Sequence, residues 1–320
     1  MKVSAFAAGA VTALACFVAH GQPYPSKPIR LVVPFVSGGS GDVVGRLIGE
    51  QLTAAWGQQV IIDNKPGAAG VIGASNVARS AADGYSLLLA DDSVLTITPQ
   101  LQKELPFDIR RDFTPVVSIA QIEFVLSVNP AVPARTLPEL VDLLKRNPNK
   151  YSYASAGVGS VHHLSMEWFK RLADVEMVHV PYKGSGQILT DLVAGQVPIG
   201  YTGLAQTQPF LRGKKLVPIA LGGPRRNPSD PDIAPFAETY PGFDGTTAWN
   251  IVAPAGTPPD IVRKLNDEVN RILREPAIAS QLQAAGLTPV GGTPARLAAT
   301  ITANYAKWGK LIRQLDLKLD

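Results

Sequence analysis

Cysteine is almost absent from this chain of 320 residues, and the single one is Cys16. It lies in an apolar run, residues 3–18, that follows the positive charge of Lys2 and ends before Ala19-His20-Gly21. This order of charge, short apolar run and small residues is typical of a secretory signal peptide, and the run is too short to span a membrane. We therefore predict that residues 1–21 are a signal peptide and that the exported chain contains neither disulfides nor a catalytic thiol.

Long apolar runs and clustered charges of one sign are also missing. No other stretch approaches the ~20 apolar residues of a membrane helix. The chain carries 30 basic and 26 acidic residues, a net charge of +4. Its densest basic pair, Arg225-Arg226, has no aromatic neighbours, which argues against a nucleic-acid partner. These absences favour a soluble exported protein whose apolar core stabilises the fold without cross-links, and a chain of this length predicts two lobes.

Strand and helix signals alternate in the first part of the chain. Apolar runs at residues 29–35, 60–63 and 85–90 indicate buried strands. Between them, residues 43–56 and 71–79 repeat apolar side chains at helical spacing. This alternation predicts a parallel sheet with helices on its faces.

The alternation restarts at residues 124–128, and the chain ends with one helix that is too short to fold alone. We expect that tail, including Trp308, to return to the first unit. The chain then crosses between the units twice, near residues 124–128 and 249–253. The predicted domains are a first lobe of residues 22–123 plus 250–320 and a second lobe of residues 124–249, with a hinge and a cleft between them.

Residues 37–42, Ser-Gly-Gly-Ser-Gly-Asp, join the first predicted strand to the first helix. In an open parallel sheet this turn lies at the edge where ligands bind, and bare backbone N–H groups there can hold an anion. Three interpretations stay open: a dinucleotide site, for which Gly45 comes one residue late, a tight turn without a ligand, and a site for a small carboxylate. Asp42 is expected to cap the helix rather than to bind a ligand.

An exported enzyme acting on a small carboxylate is the alternative to a binding protein. His162 and His163 are adjacent, so they cannot easily chelate one metal ion, and His179 reads as a hydrogen-bonded core residue. A Ser160–His162 pair is conceivable, but Ser160 is better explained as a helix cap. His162 either contacts a ligand or is a half-exposed helix residue, and Trp249 either lines the cleft or packs the hinge. We predict no enzyme activity, catalytic residue, metal or cofactor.

Six segments together resemble the Bug family, the periplasmic receptors of tripartite tricarboxylate transporters. They are "VPFVSGGSGDVVGRL", "DNKPGAAGVIGA", "AADGYSLLLA", "YSYASAGVGSVHHLSMEWFK", "VHVPYKGSG" and "APAGTPPDIVRKLN". The resemblance spans the chain from about Pro25 to its C-terminus. It implies an α/β periplasmic binding protein of the two-lobed, Venus-flytrap kind, type II-like, with two doubly wound sheets joined by two crossover strands.

The resemblance also implies a small organic carboxylate as ligand, two membrane transporter subunits as possible partners, a periplasmic location and a monomer. The ligand's carboxylate would be gripped by backbone N–H groups of the first two glycine turns, with further contacts from the second lobe. The residues that this interpretation selects as ligand-binding are Phe35, Ser37, Gly38, Gly39, Ser40, Gly67, Ala68, Ala69, Asp91, Asp92, Ser93, Ser155, Gly157, Gly159, Ser160, His162, Tyr201 and Thr202.

Two of these positions depart from the family pattern. Asp91-Asp92 stands where relatives usually have Thr, Ser, Gly or Asn, and Thr202 stands where an acidic or polar residue is common. Two acids beside an anion site are unexpected, because they repel the ligand. Either Asp91 and Asp92 point to solvent, or one of them meets a cationic group of the ligand.

Overall fold

The computed structural model describes residues 23–102, 104–182, 184–315 and 317. The predicted signal peptide and Cys16 lie outside these residues. Within them, no helix is both long and apolar enough to cross a membrane.

The first sheet has six strands, and its buried apolar side chains pack against helices on both faces. The three strands predicted near the N-terminus are parallel neighbours in it. Its strands lie in the order β11-β4-β10-β3-β1-β2. Their bounds are β1 Ile29–Val33, β2 Val60–Asn64, β3 Ser86–Ala90, β4 Phe113–Ile122, β10 Thr247–Pro254 and β11 Leu287–Pro289.

The second sheet has five strands in the order β7-β6-β8-β5-β9. Three of them, β6, β7 and β8, are parallel, whereas β5 runs antiparallel to both of its neighbours. Their bounds are β5 Phe124–Val128, β6 Ser152–Ser155, β7 Val178–Pro181, β8 Ile199–Gly203 and β9 Val217–Leu221.

Eleven α-helices cover the two sheets in the part of the chain described above. They are α1 Ser40–Trp56, α2 Val71–Ala78, α3 Thr98–Leu101, α4 Leu137–Arg146, α5 Val161–Ala173, α6 Ser185–Val193, α7 Leu204–Arg212, α8 Phe236–Thr239, α9 Pro259–Leu273, α10 Pro276–Ala284 and α11 Pro294–Gln314. A 3-10 turn, Ala68–Gly70, precedes α2, and a π-helical turn, Ser93–Ile97, precedes α3. Local sequence sets several of the helix starts. For example, Ser160 accepts a hydrogen bond from the N–H of His163 and so caps α5.

The chain crosses between the two sheets at two places. Only Glu123 separates β4 in the first sheet from β5 in the second, and the chain returns to the first sheet with β10. The predicted fold class, two α/β sheets with helices joined by two crossings, is confirmed. The sheets are mixed rather than purely parallel, because β10 runs antiparallel to β3 and β4. The domain boundaries stay a prediction.

The last helix, α11, divides its apolar face between the two sheets. Leu297 and Ile301 belong to the cluster under the first sheet. About two to three turns after Ile301, Trp308, Leu311 and Ile312 belong to the cluster of the second sheet, and Trp308 is fully buried there. The expectation that Trp308 packs with the first unit is therefore wrong. A 21-residue helix is long enough to reach both cores, and its apolar stripe continues along its whole length.

Candidate ligand-binding cleft

A cavity of about 710 Å³ opens between the edges of the two sheets. Turns that follow β1, β2 and β3 line one side, and turns that follow β6 and β8 line the other. The predicted site residues that line it are Phe35, Gly38, Gly39, Ser40, Gly67, Ala69, Asp91, Ser93, Gly157, Gly159, Ser160 and His162. Those that lie outside its lining are Ser37, Ala68, Asp92, Ser155, Tyr201 and Thr202.

The turn from β1 into α1 is built by Asp42. Its Oδ2 accepts hydrogen bonds from Ser37 Oγ at 3.1 Å, from the Gly38 N–H at 3.0 Å and from Arg46 Nε at 2.9 Å. The Arg46 guanidinium lowers the pKa of Asp42 to about 2, with the Gly38 and Ser37 hydrogen bonds assisting. Asp42 and Ser37 thus hold the turn in shape. Asp42 has a structural role as expected, but it does not cap α1, because the N-cap residue is Gly39 and no side chain caps it. Ser37 lies outside the cavity lining, and its role as a ligand contact stays a prediction.

The same turn leaves N–H groups of α1 without a cap. Gly39 is the N-cap residue and has no side chain to accept a hydrogen bond from the first turn. Helix starts expose such N–H groups, and the helix dipole adds partial positive charge there. Gly39 and Ser40 line the cavity, so this helix start faces it.

The turn from β2 into α2 has an unusual backbone. Ala68 and Ala69 have φ values of 47° and 52°, and Gly70 follows with φ of 91°. Left-handed conformations are disfavoured for residues with a Cβ, and runs of them are rare. Such strain concentrates at ligand-binding turns, where successive N–H groups form a concavity that suits an anion. Ala69 lines the cavity beside the start of α1, because β1 and β2 are hydrogen-bonded neighbours.

Asp91 follows β3 and lines the cavity, yet only 9% of its surface is exposed. Its Oδ2 accepts a hydrogen bond from Ser93 Oγ at 3.3 Å, and its buried Oδ1 has no hydrogen-bond partner among the described residues. Burial raises the pKa of Asp91 to about 7, and the charge of Asp92 adds to the shift. The interpretation that the two acids point to solvent is wrong, since both are buried.

Asp92 points away from the cavity towards α11. Its carboxylate accepts hydrogen bonds from Asn304 Nδ2 at 3.0 and 3.1 Å, from Thr247 Oγ1 at 3.1 Å and from Thr96 Oγ1 at 3.2 Å. Burial raises its pKa, while the positive charge of Lys307 and these hydrogen bonds oppose that shift. Asp92 therefore links the end of β3 to β10 and α11 and lies outside the cavity lining, so its role as a ligand contact stays a prediction that this placement does not favour.

The opposite edge of the cavity is internally bonded. Ser160 Oγ donates to the carbonyl of Gly157 at 2.7 Å and accepts from the His163 N–H, so it is not paired with His162. The Gly159 N–H donates to His163 Nδ1 at 3.3 Å. These bonds fix the turn that carries Gly157 and Gly159 into the cavity lining.

Ser155 lies behind that turn and is fully buried. Its Oγ shares a hydrogen bond of 2.6 Å with His179 Nε2, and the His179 ring stacks on His163 with centroids 4.2 Å apart. His179 is thus a hydrogen-bonded residue, as expected. Ser155 supports the turn from behind and does not contact the cavity.

His162 lines the cavity with its ring against Phe124, edge to face, at a centroid distance of 4.8 Å. Burial lowers its pKa to about 4, so the imidazole is neutral at pH 7. Tyr201 and Thr202 were predicted to bind the ligand together with His162, but both lie in the interior. Tyr201 stacks on Phe124 and donates a hydrogen bond to the Gly245 carbonyl. Thr202 Oγ1 shares a hydrogen bond with Thr207 Oγ1.

Trp249 is the lining residue that the sequence left undecided. It lines the cavity, packs edge to face on Phe35 at 5.5 Å, and its buried Nε1 has no partner among the described residues. Gln206, Leu189 and Leu287 also line the cavity and were missed, because nothing in their local sequence distinguishes them from helix or strand residues of the core.

The architecture and the cleft define a class, the two-lobed periplasmic binding proteins, and three solved structures agree with it. Rpa4515 of R. palustris with adipate has a TM-score of 0.85 at 33% identity, covering 92% of this chain and 99% of the other. MatC (Rpa3494) from Rhodopseudomonas palustris with bound malate has a TM-score of 0.81 at 30% identity, covering 90% and 100%. The periplasmic binding protein BugD has a TM-score of 0.82 at 28% identity, covering 92% and 99%.

The sequence profile described as "Tripartite tricarboxylate transporter family receptor" matches residues 44–317. The chain belongs to this family, and the resemblance seen in its sequence is confirmed.

Proposed function

We propose that this protein is an extracytoplasmic receptor that binds a small organic carboxylate in the cleft. The carboxylate is held by backbone N–H groups of the start of α1 and of Ala68 and Ala69, since the Gly70 N–H already donates to the Gly67 carbonyl. The observation that carries the proposal is the left-handed backbone of Ala68 and Ala69 beside an uncapped helix start, on adjacent strands. Strands lie about 4.8 Å apart, so one carboxylate can meet both turns.

Two relatives support the class of ligand. The structures of Rpa4515 with adipate and of MatC with bound malate share this fold at 30% identity or more. Neutral His162 and the aromatic rings of Phe35 and Trp249 suit the uncharged part of such an acid. We further propose, from family membership and the predicted signal peptide, that the monomeric receptor works in the periplasm and delivers its ligand to membrane transporter subunits.

The alternative function, an exported enzyme, finds less support in the site. Among the residues that the structure describes, the shortest serine–histidine contact is Ser155–His179, and Ser155 is buried behind the cavity lining. Ser160 is bonded to Gly157 and His163 rather than to His162. A serine nucleophile needs an exposed hydroxyl that is hydrogen-bonded to a general base, and neither serine meets both conditions.

Thermal unfolding with a panel of mono-, di- and tricarboxylates tests the proposal. A ligand that binds the native state raises stability by RT ln(1 + [L]/Kd). We expect at least one acid to raise the unfolding temperature and to be recovered unchanged after prolonged incubation. Conversion of the stabilising acid would favour the enzyme, and no stabilisation by any carboxylate would contradict a carboxylate receptor.

A further inference from the structure

The described lining of the cavity has an unbalanced charge. Asp91 is the one carboxylate among its described lining residues, and those residues include no lysine or arginine. The other titratable side chain there is His162, which burial keeps neutral. A site for an anion therefore contains a buried acid and no described side chain that could neutralise it.

The neighbouring acid shows how this chain compensates a buried carboxylate. Asp92 has Asn304, Thr247 and Thr96 as hydrogen-bond donors and feels the positive charge of Lys307. Asp91 has one side-chain donor, Ser93, and backbone N–H groups of Ser93 and Val94 also favour its charged form, but it has no positive neighbour among the described lining residues and its Oδ1 has no partner there. Burying a charge without a partner is unfavourable, so a residue in this state points to a counter-charge that arrives with the ligand.

We propose that the ligand is an amino-carboxylate whose cationic nitrogen pairs with Asp91 while its carboxylate is held by the glycine turns. This inference rests on the proposed function. It makes Asp91 a specificity-determining residue that selects zwitterionic acids from plain ones.

The sheet places the two charges at a suitable separation. Asp91 ends β3, and β3 is the hydrogen-bonded neighbour of β1, whose end carries the first glycine turn. Neighbouring strands are about 4.8 Å apart. An ammonium group a few bonds from a carboxylate spans that distance, and the apolar rings of Phe35 and Trp249 border the same space.

A protonated Asp91 is the competing explanation, because it could donate a hydrogen bond to a plain carboxylate. The two explanations differ in their pH dependence. With the pKa of Asp91 near 7, pairing with an ammonium group strengthens as pH rises through 7, whereas donation to a carboxylate weakens. The other titratable or charged groups near this site are Asp92 beside it, Lys307 behind Asp92 and His162 across the cavity.

Calorimetric titration with matched acids tests the proposal. The probes are succinate and aspartate, glutarate and glutamate, and adipate and 2-aminoadipate, each at pH 6 and pH 8. The proteins are wild type, Asp91→Asn and, as a matched control, Asp92→Asn, whose carboxylate does not line the cavity.

We expect wild type to prefer an amino acid over its plain partner, more strongly at pH 8. Asp91→Asn is expected to lower affinity for that amino acid at least about 30-fold, as when one partner of a buried charge pair is removed. Asp92→Asn is expected to keep the preference.

Each other result contradicts the inference. If a plain acid binds wild type as tightly as its amino partner, or if Asp91→Asn leaves the preference intact, Asp91 does not select a cation and the carboxylate receptor stands. If the preferred acid is plain and its affinity falls between pH 6 and pH 8, Asp91 acts as a protonated donor. If no probe of either kind binds, the proposed function fails together with this inference.

Discussion

The two edges of the cleft use their polar groups in opposite ways. On the first sheet, the start of α1 has no cap, Ala68 and Ala69 adopt left-handed conformations, and Asp91 has a carboxylate oxygen without a partner. On the second sheet, Ser160 and Ser155 are bonded to Gly157, His163 and His179. The edge of the first sheet therefore retains hydrogen-bonding groups without an internal partner, whereas the polar groups at the edge of the second sheet bond to each other.

Under the proposed function, this difference gives the two edges separate roles. Uncapped N–H groups and strained backbone are tolerated where a bound ligand satisfies them. A turn that is already bonded internally offers shape and apolar contact, here with the neutral ring of His162 against Phe124. We therefore expect substitutions on the first edge to change affinity and substitutions behind the second edge to change stability.

The largest effect is expected from Gly39→Val. The N-cap φ of −76° suits any residue, and an added Cβ meets only the Val36 carbonyl at 3.6 Å, so the fold should tolerate the change. The branched side chain would occupy cavity space beside the N–H groups that we propose hold the carboxylate. We expect at least a 100-fold loss of affinity for the acid that stabilises wild type, since charge-assisted hydrogen bonds contribute about 1.5–3 kcal/mol each. Thermal unfolding without ligand serves as the control. Unchanged affinity would show that this turn does not bind the carboxylate.

Sequence reasoning reached the glycine turns because strand ends and glycines are local signals. It could not separate Asp91 from Asp92, because the partners that turn Asp92 away, Thr247 and Asn304, lie 155 and 212 residues later in the chain. The left-handed conformations of Ala68 and Ala69 also leave no trace in residue type.

Two further features of the structure also depend on contacts that the sequence does not reveal. Tyr201 and Thr202 follow the strand pattern of a cleft edge, but Tyr201 reaches the Gly245 carbonyl, 44 residues away, and stays inside. The division of α11 between two cores is equally invisible, since an apolar stripe does not state which surface it meets.

A loss of stability without loss of binding is expected from Asn304→Ala. The change removes two hydrogen bonds to Asp92 and leaves a buried carboxylate less satisfied. We expect the free energy of unfolding to fall by about 2–3 kcal/mol, the cost of an unsatisfied buried charged group. Denaturant unfolding measures it. A reduced ligand affinity, measured under conditions where the variant is fully folded, would show that Asp92 as well as Asp91 contributes to ligand binding.

Ser155→Ala sharpens the same distinction on the second sheet. It removes the 2.6 Å hydrogen bond to His179 and the bonds within the turn at Gly157. We expect a loss of about 1–2 kcal/mol of stability and affinity within threefold of wild type. An affinity loss comparable to that of Gly39→Val would mean that the second edge also grips the ligand's polar group.

The smallest effect is expected at the crossing between the sheets. Burial raises the pKa of Glu123 from an ordinary 4.5 to about 7. The hydrogen bond that its carboxylate accepts from the Gly223 N–H opposes this shift. The folded state holds this proton more tightly, so its stability relative to the unfolded state falls as pH rises from 4.5 through 7. Glu123→Gln removes that dependence and keeps an oxygen for Gly223. We expect the variant to gain about 1 kcal/mol over wild type between pH 6.5 and pH 8.5. A constant difference in unfolding free energy would show that Glu123 does not titrate in this range.

The most direct test of the central claim is a crystal structure of the protein with the carboxylate that stabilises it most. The account predicts carboxylate oxygens at hydrogen-bonding distance, about 2.7–3.2 Å, from N–H groups at the start of α1 and in the Ala68–Gly70 turn. A carboxylate bound instead by the turn of Gly157 and Gly159, with the first edge left to water, would contradict it.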